Sequence, residues 1–186
     1  MTKTCFIIGN GVSFNRAPLN LLETEPTFGM NYAGFQPKYY ICVDTDVLID
    51  NADKISNLVR GADMAFLSKY HAGANALYTG DNVILVDKDK RAFREERFMS
   101  GFTAAYVALK CAYYMGFEEV HLYGIDHSPT WAHYRDDYPA GDVDHRAERM
   151  SVMEWHYKLA AKVYNSDGRR IVNHSNPSNL DAIFER

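Results

Sequence analysis

Short apolar runs that alternate with helical stretches constrain the fold of this chain more than any other feature. The runs are TCFIIG (4–9), TFGMN (27–31), YYICVD (39–44), DMAFLS (63–68), NVILVD (82–87), EEVHLYGID (118–126) and RRIVNHS (169–175). Their aliphatic and aromatic content suits buried strands. Between them lie stretches that read as helices, among them APLNLLE (17–23) and DVLIDNADKISNLV (46–59), the latter with Val47, Ile55 and Leu58 at apolar positions. Alternation of this kind predicts an α/β fold: one Rossmann-like domain over residues 1–186, its mainly parallel sheet flanked by helices on both faces. At 186 residues the chain is long enough to bury a real core.

The clearest unit is SGFTAAYVALKCAYYMG (100–116), with apolar residues at 102, 105, 106, 109, 112 and 113 in a 3.6-residue rhythm. Ser100 reads as its N-cap and Gly116 as the residue just past its end. A polar, aromatic loop rich in His and Asp follows over 127–146. AERMSVMEWHYKLAAKVYNSDG then reads as an amphipathic helix buried through Val152, Trp155, Leu159 and Val163, closed near Gly168. The chain ends in a predicted helix, NPSNLDAIF, with Pro177 in its first turn.

Composition closes off several classes of function. The formal net charge is -4 and no basic stripe runs along the chain, which argues against a nucleic-acid partner. No apolar run approaches the roughly 18–20 residues of a membrane span, and the N-terminal run is too short for a signal peptide. Cys5, Cys42 and Cys111 are odd in number and scattered. Reduced, buried thiols fit them best, so a cytoplasmic location is expected.

In open α/β sheets ligands sit beyond the carboxyl ends of the strands. Gly9-Asn10-Gly11, Asn31, Asp44, Ser100-Gly101 and Gly124-Ile125-Asp126 fall at such ends or open a helix. Small and polar residues gathered there point to a nucleotide-type ligand, with a phosphate at the start of the 101–115 helix. A side chain at Gly11 is expected to fill the phosphate's space while leaving the chain folded. The loop is neither G-x-G-x-x-G, since Phe14 stands at the last glycine, nor a Walker loop. Asp126, His127, His133, Asp136, Asp142, Asp144 and His145 crowd one stretch, but no H-E-x-x-H, H-x-H or Cys-His spacing occurs, so no metal site is expected. His121 alternates within a strand and reads as a satisfied or surface histidine.

IIGNGVSF, NYAG (31–34), PKYY (37–40) and SGFTAAYVALKCAYYMGFEEVHLYGID (100–126) resemble glycosyltransferase family 42, bacterial sialyltransferases that use CMP-sialic acid. The same skeleton is shared by motility-accessory glycosyltransferases and archaeal hydroxymethylpterin diphosphokinases. The resemblance implies that Gly9, Asn10, Gly11 and Ser13 line the phosphate and ribose, and that Asn31 contacts the nucleotide. It places Ser100, Gly101 and Thr103 against donor or nucleotide, and Gly124 and Asp126 on the cytidine side. Tyr134 matches a tyrosine that stabilises the leaving phosphate, and His145 the catalytic base. Val12 and Phe14 replace the family's Pro and Leu, and Asp44 stands where the sialyltransferases carry Asn. The implied activity is transfer of a sugar from a CMP-type donor to a glycan or glycolipid acceptor, with no further cofactor and with room for a homo-oligomer. Two alternatives are a Mg-ATP-dependent pterin diphosphokinase-like enzyme, with Asp44 and Asp126 on the metal, and a nucleotide-binding protein without catalysis.

Overall fold

A computed structural model describes residues 3–69, 78–86, 103–128, 134, 146–176 and 178–186. The expected strands form as β1 (Thr4–Ile8), β2 (Thr27–Met30), β3 (Tyr39–Cys42), β4 (Met64–Ser68), β5 (Val83–Val86), β6 (Glu119–Tyr123) and β7 (Arg170–Asn173). They pair in the order β5-β4-β3-β2-β1-β6-β7, and every pairing is parallel. From β1 to β5 the chain steps outward on one side, then returns to the other side of β1 for β6 and β7. The reversal lies between β1 and β6, where an open sheet leaves its ligand crevice.

Side-chain alternation explains why the strands read as unbroken apolar runs. In β1, Cys5 and Ile7 face one layer of core while Phe6 and Ile8 face the other; in β4, Phe66 opposes Ala65 and Leu67 in the same way. One layer is closed by α4 (Ala104–Tyr114) and α5 (Arg146–Ser166), the other by α1 (Leu19–Thr24), α2 (Thr45–Asp50) and α3 (Ala52–Gly61). Strand β6 departs from the pattern: Val120 and Leu122 are buried, whereas Glu119, His121 and Tyr123 are half-buried.

Several helical expectations need correction. The 46–59 stretch is two helices, because Asn51 takes φ -133, ψ 43 between them. Helix α4 is buried on all sides from Ala104 to Tyr113 rather than along one stripe, so it is an internal helix. Its N-cap is Thr103, whose hydroxyl accepts the Ala105 N–H, not Ser100, which lies outside the described residues. Helix α5 turns Met150, Met153, Tyr157, Ala160, Val163 and Tyr164 inward with Leu159 packed against the same core, so Val163 and Leu159 lie as expected, while Val152 and Trp155 are 41% and 52% exposed. The C-terminal helix is a single 3-10 turn, Asn179–Ala182. Gly116 does take the left-handed conformation past α4, at φ +79.

Candidate functional site

The loops after β1 and β6 are clasped together. Gly9 N–H donates to the Tyr123 carbonyl at 2.7 Å, and Gly11 N–H to the Gly124 carbonyl at 2.9 Å. The Asp126 carboxylate accepts the Ser13 N–H at 3.0 Å and also the Ser13 hydroxyl. Gly124 N–H returns a bond to that hydroxyl at 3.2 Å. Gly11 has an ordinary extended backbone, φ -70 and ψ 165. A Cβ on it would sit 2.6 Å from the Asp126 carboxylate and 2.8 Å from the Gly124 oxygen, and one on Gly9 would run into that same oxygen. The glycines therefore let two loops of the protein meet. A side chain at Gly11 would meet the β6 loop itself, so the tolerance expected there does not fit these distances. Asp126 is buried, and both of its oxygens accept from Ser13.

A second group lies across the ends of β1, β2 and β3. Asn10 donates its side-chain amide to the Met30 carbonyl at 2.9 Å and accepts the Tyr134 N–H on its own carbonyl at 3.0 Å. Asn31 has φ +49, a conformation asparagine tolerates better than most residues. Its amide donates to the Asp44 carboxylate at 2.7 Å, and its carbonyl accepts the Tyr40 hydroxyl at 2.7 Å. Asp44 stands at the N-cap of α2 but makes no side-chain capping bond there. Tyr134, over a hundred positions from Asn10 and Asn31 in sequence, is brought to this row. Its ring lies 4.3 Å from that of Phe14 and its hydroxyl 3.4 Å from the Tyr32 carbonyl, over Gly34, where a side chain would collide with it.

Thr103 belongs to a third group, with its hydroxyl 3.4 Å from that of Tyr157. Burial pushes the Tyr157 phenol up to about 12, so it stays a neutral donor. His145, Ser100 and Gly101 lie outside the described residues. Reasoning from sequence missed three contributors. Tyr32, inside the quoted NYAG, accepts a bond from the Asn51 amide at 2.9 Å. Ser175 accepts the Ile125 N–H at 2.9 Å and so holds the β6 loop from β7. His127, hidden in the His/Asp-rich run, has φ +45 and packs edge-on against Tyr157. His121 is satisfied, as expected: it donates Nε2–H to Glu119 at 2.7 Å, and its Nδ1 is 2.7 Å from His174 Nε2. Among the described residues no cluster of three or more His, Cys, Asp or Glu is arranged to hold a metal, and no helix is long and apolar enough to cross a membrane.

No family model matches the sequence, and no curated protein matches it. The fold, however, has close counterparts. The sialyltransferase CstII of Campylobacter jejuni, solved with the substrate analogue CMP-3FNeuAc, superposes with a TM-score of 0.63 over 99% of this chain and 86% of that one, at 15% identity. CstII with a trisaccharide acceptor and CMP gives 0.59 over 98% and 85%, at 13% identity. The monofunctional alpha-2,3-sialyltransferase Cst-I of the same organism gives 0.58 over 98% and 79%, at 13% identity. The chain thus has a sialyltransferase-like glycosyltransferase fold.

Proposed function

We propose that this protein is a nucleotide-sugar glycosyltransferase of sialyltransferase type, acting in the cytoplasm on a CMP-linked sugar and a glycan or glycolipid acceptor. The observation that carries this reading is the delivery of Tyr134 to the Asn10–Asn31–Asp44 row, on a fold whose solved counterparts hold CMP. Asn31, fixed by Asp44 and Tyr40, would present the nucleotide-facing edge. Ser100, Gly101 and Thr103 would meet the donor at the head of α4, where backbone N–H groups favour an anion. Gly9, Gly11, Ser13, Gly124 and Asp126 act one step back, as the clasp that fixes the loop behind Asn10.

In the transfer an acceptor hydroxyl attacks the anomeric carbon, the sugar–phosphate bond breaks, and CMP leaves with the bonding pair. His145 takes the hydroxyl proton as general base. The Tyr134 phenol donates to the phosphate oxygen on which charge develops. Asp126 weighs against the diphosphokinase alternative, because Ser13 occupies the carboxylate which that reading assigns to Mg²⁺.

The test is release of CMP and formation of a sialylated product from CMP-sialic acid and a galactose-terminated acceptor. His145→Ala and Tyr134→Phe are each expected to keep donor binding and to lower turnover about 10²-fold or more. Wild-type turnover in both variants would remove the assignment. A wild type that binds CMP but transfers no sugar would favour the binding-protein alternative.

A further inference from the structure

The chain beyond β7 does more than end the fold. Two of its serines take hold of one residue in the β6 loop. Ser175, only 1% exposed, accepts the Ile125 N–H at 2.9 Å, and the Ser178 hydroxyl donates to the Ile125 carbonyl at 3.0 Å. The Asn179 N–H then donates to the Asp126 carbonyl at 3.3 Å. Three backbone groups in succession thus find their partners in residues 175–179, which answers where the loop's own hydrogen bonds go.

On its other side the same loop is bonded to the turn after β1. Gly124 gives its carbonyl to the Gly11 N–H and its own N–H to the Ser13 hydroxyl, while the Asp126 carboxylate takes both Ser13 donors. Residues 124–126 are therefore a narrow bridge between the C-terminal turn and the β1 turn. The β1 turn leads straight into the candidate site. Asn10, between the two glycines, accepts the Tyr134 N–H on its carbonyl and fastens its amide to the Met30 carbonyl.

The C-terminal turn is anchored well enough to act as the fixed end. Leu180 and Phe184 are buried in the core. Asn173 donates its side-chain amide to Asp181 at 2.8 Å, accepts the Ser175 N–H at 3.1 Å, and donates its own N–H to the Glu185 carbonyl at 2.7 Å. Ser178 also caps the 3-10 turn, accepting the Leu180 N–H at 3.2 Å.

We propose that Ser175 and Ser178 are positioning residues for the donor side of the site: they fix Ile125 from the C-terminal turn, and through the β6 loop they set where Asn10 and Tyr134 stand. Both act through the loop and not on the ligand. A bond lost at Ser178 frees one carbonyl of the loop while the core beneath it stays packed. The loop and the β1 turn bonded to it then occupy more than one position. A donor that binds only one of them binds more weakly in proportion. The donor role rests on the glycosyltransferase reading; the brace itself does not.

Two measurements on the full chain test this. In ligand-free protein, Ser178→Ala should speed amide exchange at Gly11 and Ser13 roughly threefold or more relative to the amides of β4. Ser178→Thr keeps the hydroxyl and should restore the wild-type pattern. No change relative to β4 overturns the brace, because a general loss of stability moves all of these amides together. With CMP-sialic acid and a galactose-terminated acceptor, Ser178→Ala should raise the donor KM roughly threefold to tenfold, change kcat less, and be rescued by Ser178→Thr. A merely structural role would lower the folded fraction, and with it kcat, at an unchanged KM; that outcome overturns the positioning. Ser175→Ala should act in the same direction and more strongly, since the Ile125 N–H loses its acceptor. Should that variant fail to fold, Ser178 decides the matter alone. A wild type that neither binds CMP nor transfers sugar overturns the donor role together with the glycosyltransferase reading, while amide exchange still decides the brace.

Discussion

At the residue scale, the glycines after β1 were chosen by a neighbouring loop. A Cβ at Gly11 meets the Asp126 carboxylate and the Gly124 carbonyl, neither of which can withdraw without breaking a bond to Ser13 or Gly11. Gly11→Val is accordingly expected to lower stability by about 1–3 kcal/mol, as overpacking does, read as a drop in the thermal midpoint without ligand. An unchanged midpoint would mean that the loops part easily and that the clasp is slack. Ser13→Ala should act more mildly, leaving the buried Asp126 with one backbone donor. The Gly9 and Gly11 positions were legible in the sequence, but their reason was not: Ser13 and Asp126 are 113 positions apart, and nothing local records that they touch. His127 was hidden for the same cause, since the residues it packs beside, Glu154 and Tyr157, lie on α5 far along the sequence.

At the scale of elements, β1 to β4 were easy to read because parallel strands covered on both faces need apolar residues at nearly every position. Helix α4 was found for its apolar content but not for its all-round burial. Helix α5 was misread because it carries two apolar stripes. The stripe through Val152, Trp155, Leu159 and Val163 competes with the one through Met150, Met153, Tyr157, Ala160 and Tyr164, and spacing alone does not rank them; of the first, only its C-terminal part, Leu159 and Val163, reaches the core. The structure buries the second, where the Tyr164 hydroxyl also donates to the Leu109 carbonyl of α4 at 2.7 Å. Met153→Ala is expected to cost about 2–5 kcal/mol in urea unfolding. Trp155→Ala should cost under about 1 kcal/mol, since its side chain is 52% exposed and meets His156 only edge-on. Equal losses would restore the stripe read from the sequence.

At the scale of the whole molecule, two partly buried imidazoles among the described residues shape the response to acid. Burial lowers the pKa of His127 and of His174, the latter also through His121. Each therefore binds fewer protons folded than unfolded in the window just below about pH 6.5, so stability rises with pH there and is lost as pH falls through it. Glu119, pushed up by burial but pulled lower overall by Arg170 and His121, adds its loss only at more acid pH. The thermal midpoint should hold between pH 8 and 7 and fall between pH 6.5 and 5.5; a flat profile to pH 5.5 would contradict this. The central claim, that the carboxyl edge around Asn10, Asn31 and Tyr134 is a cytidine-nucleotide site, is tested most directly by thermal shift at pH 7.5 with CMP and with ATP, each with Mg²⁺ and with chelator. Ligand that binds only the folded state raises the midpoint by mass action. The account predicts a concentration-dependent rise with CMP that is indifferent to chelator and is lost in Asn31→Ala. A rise with Mg²⁺-ATP alone, or a CMP response that Asn31→Ala leaves intact, would contradict it.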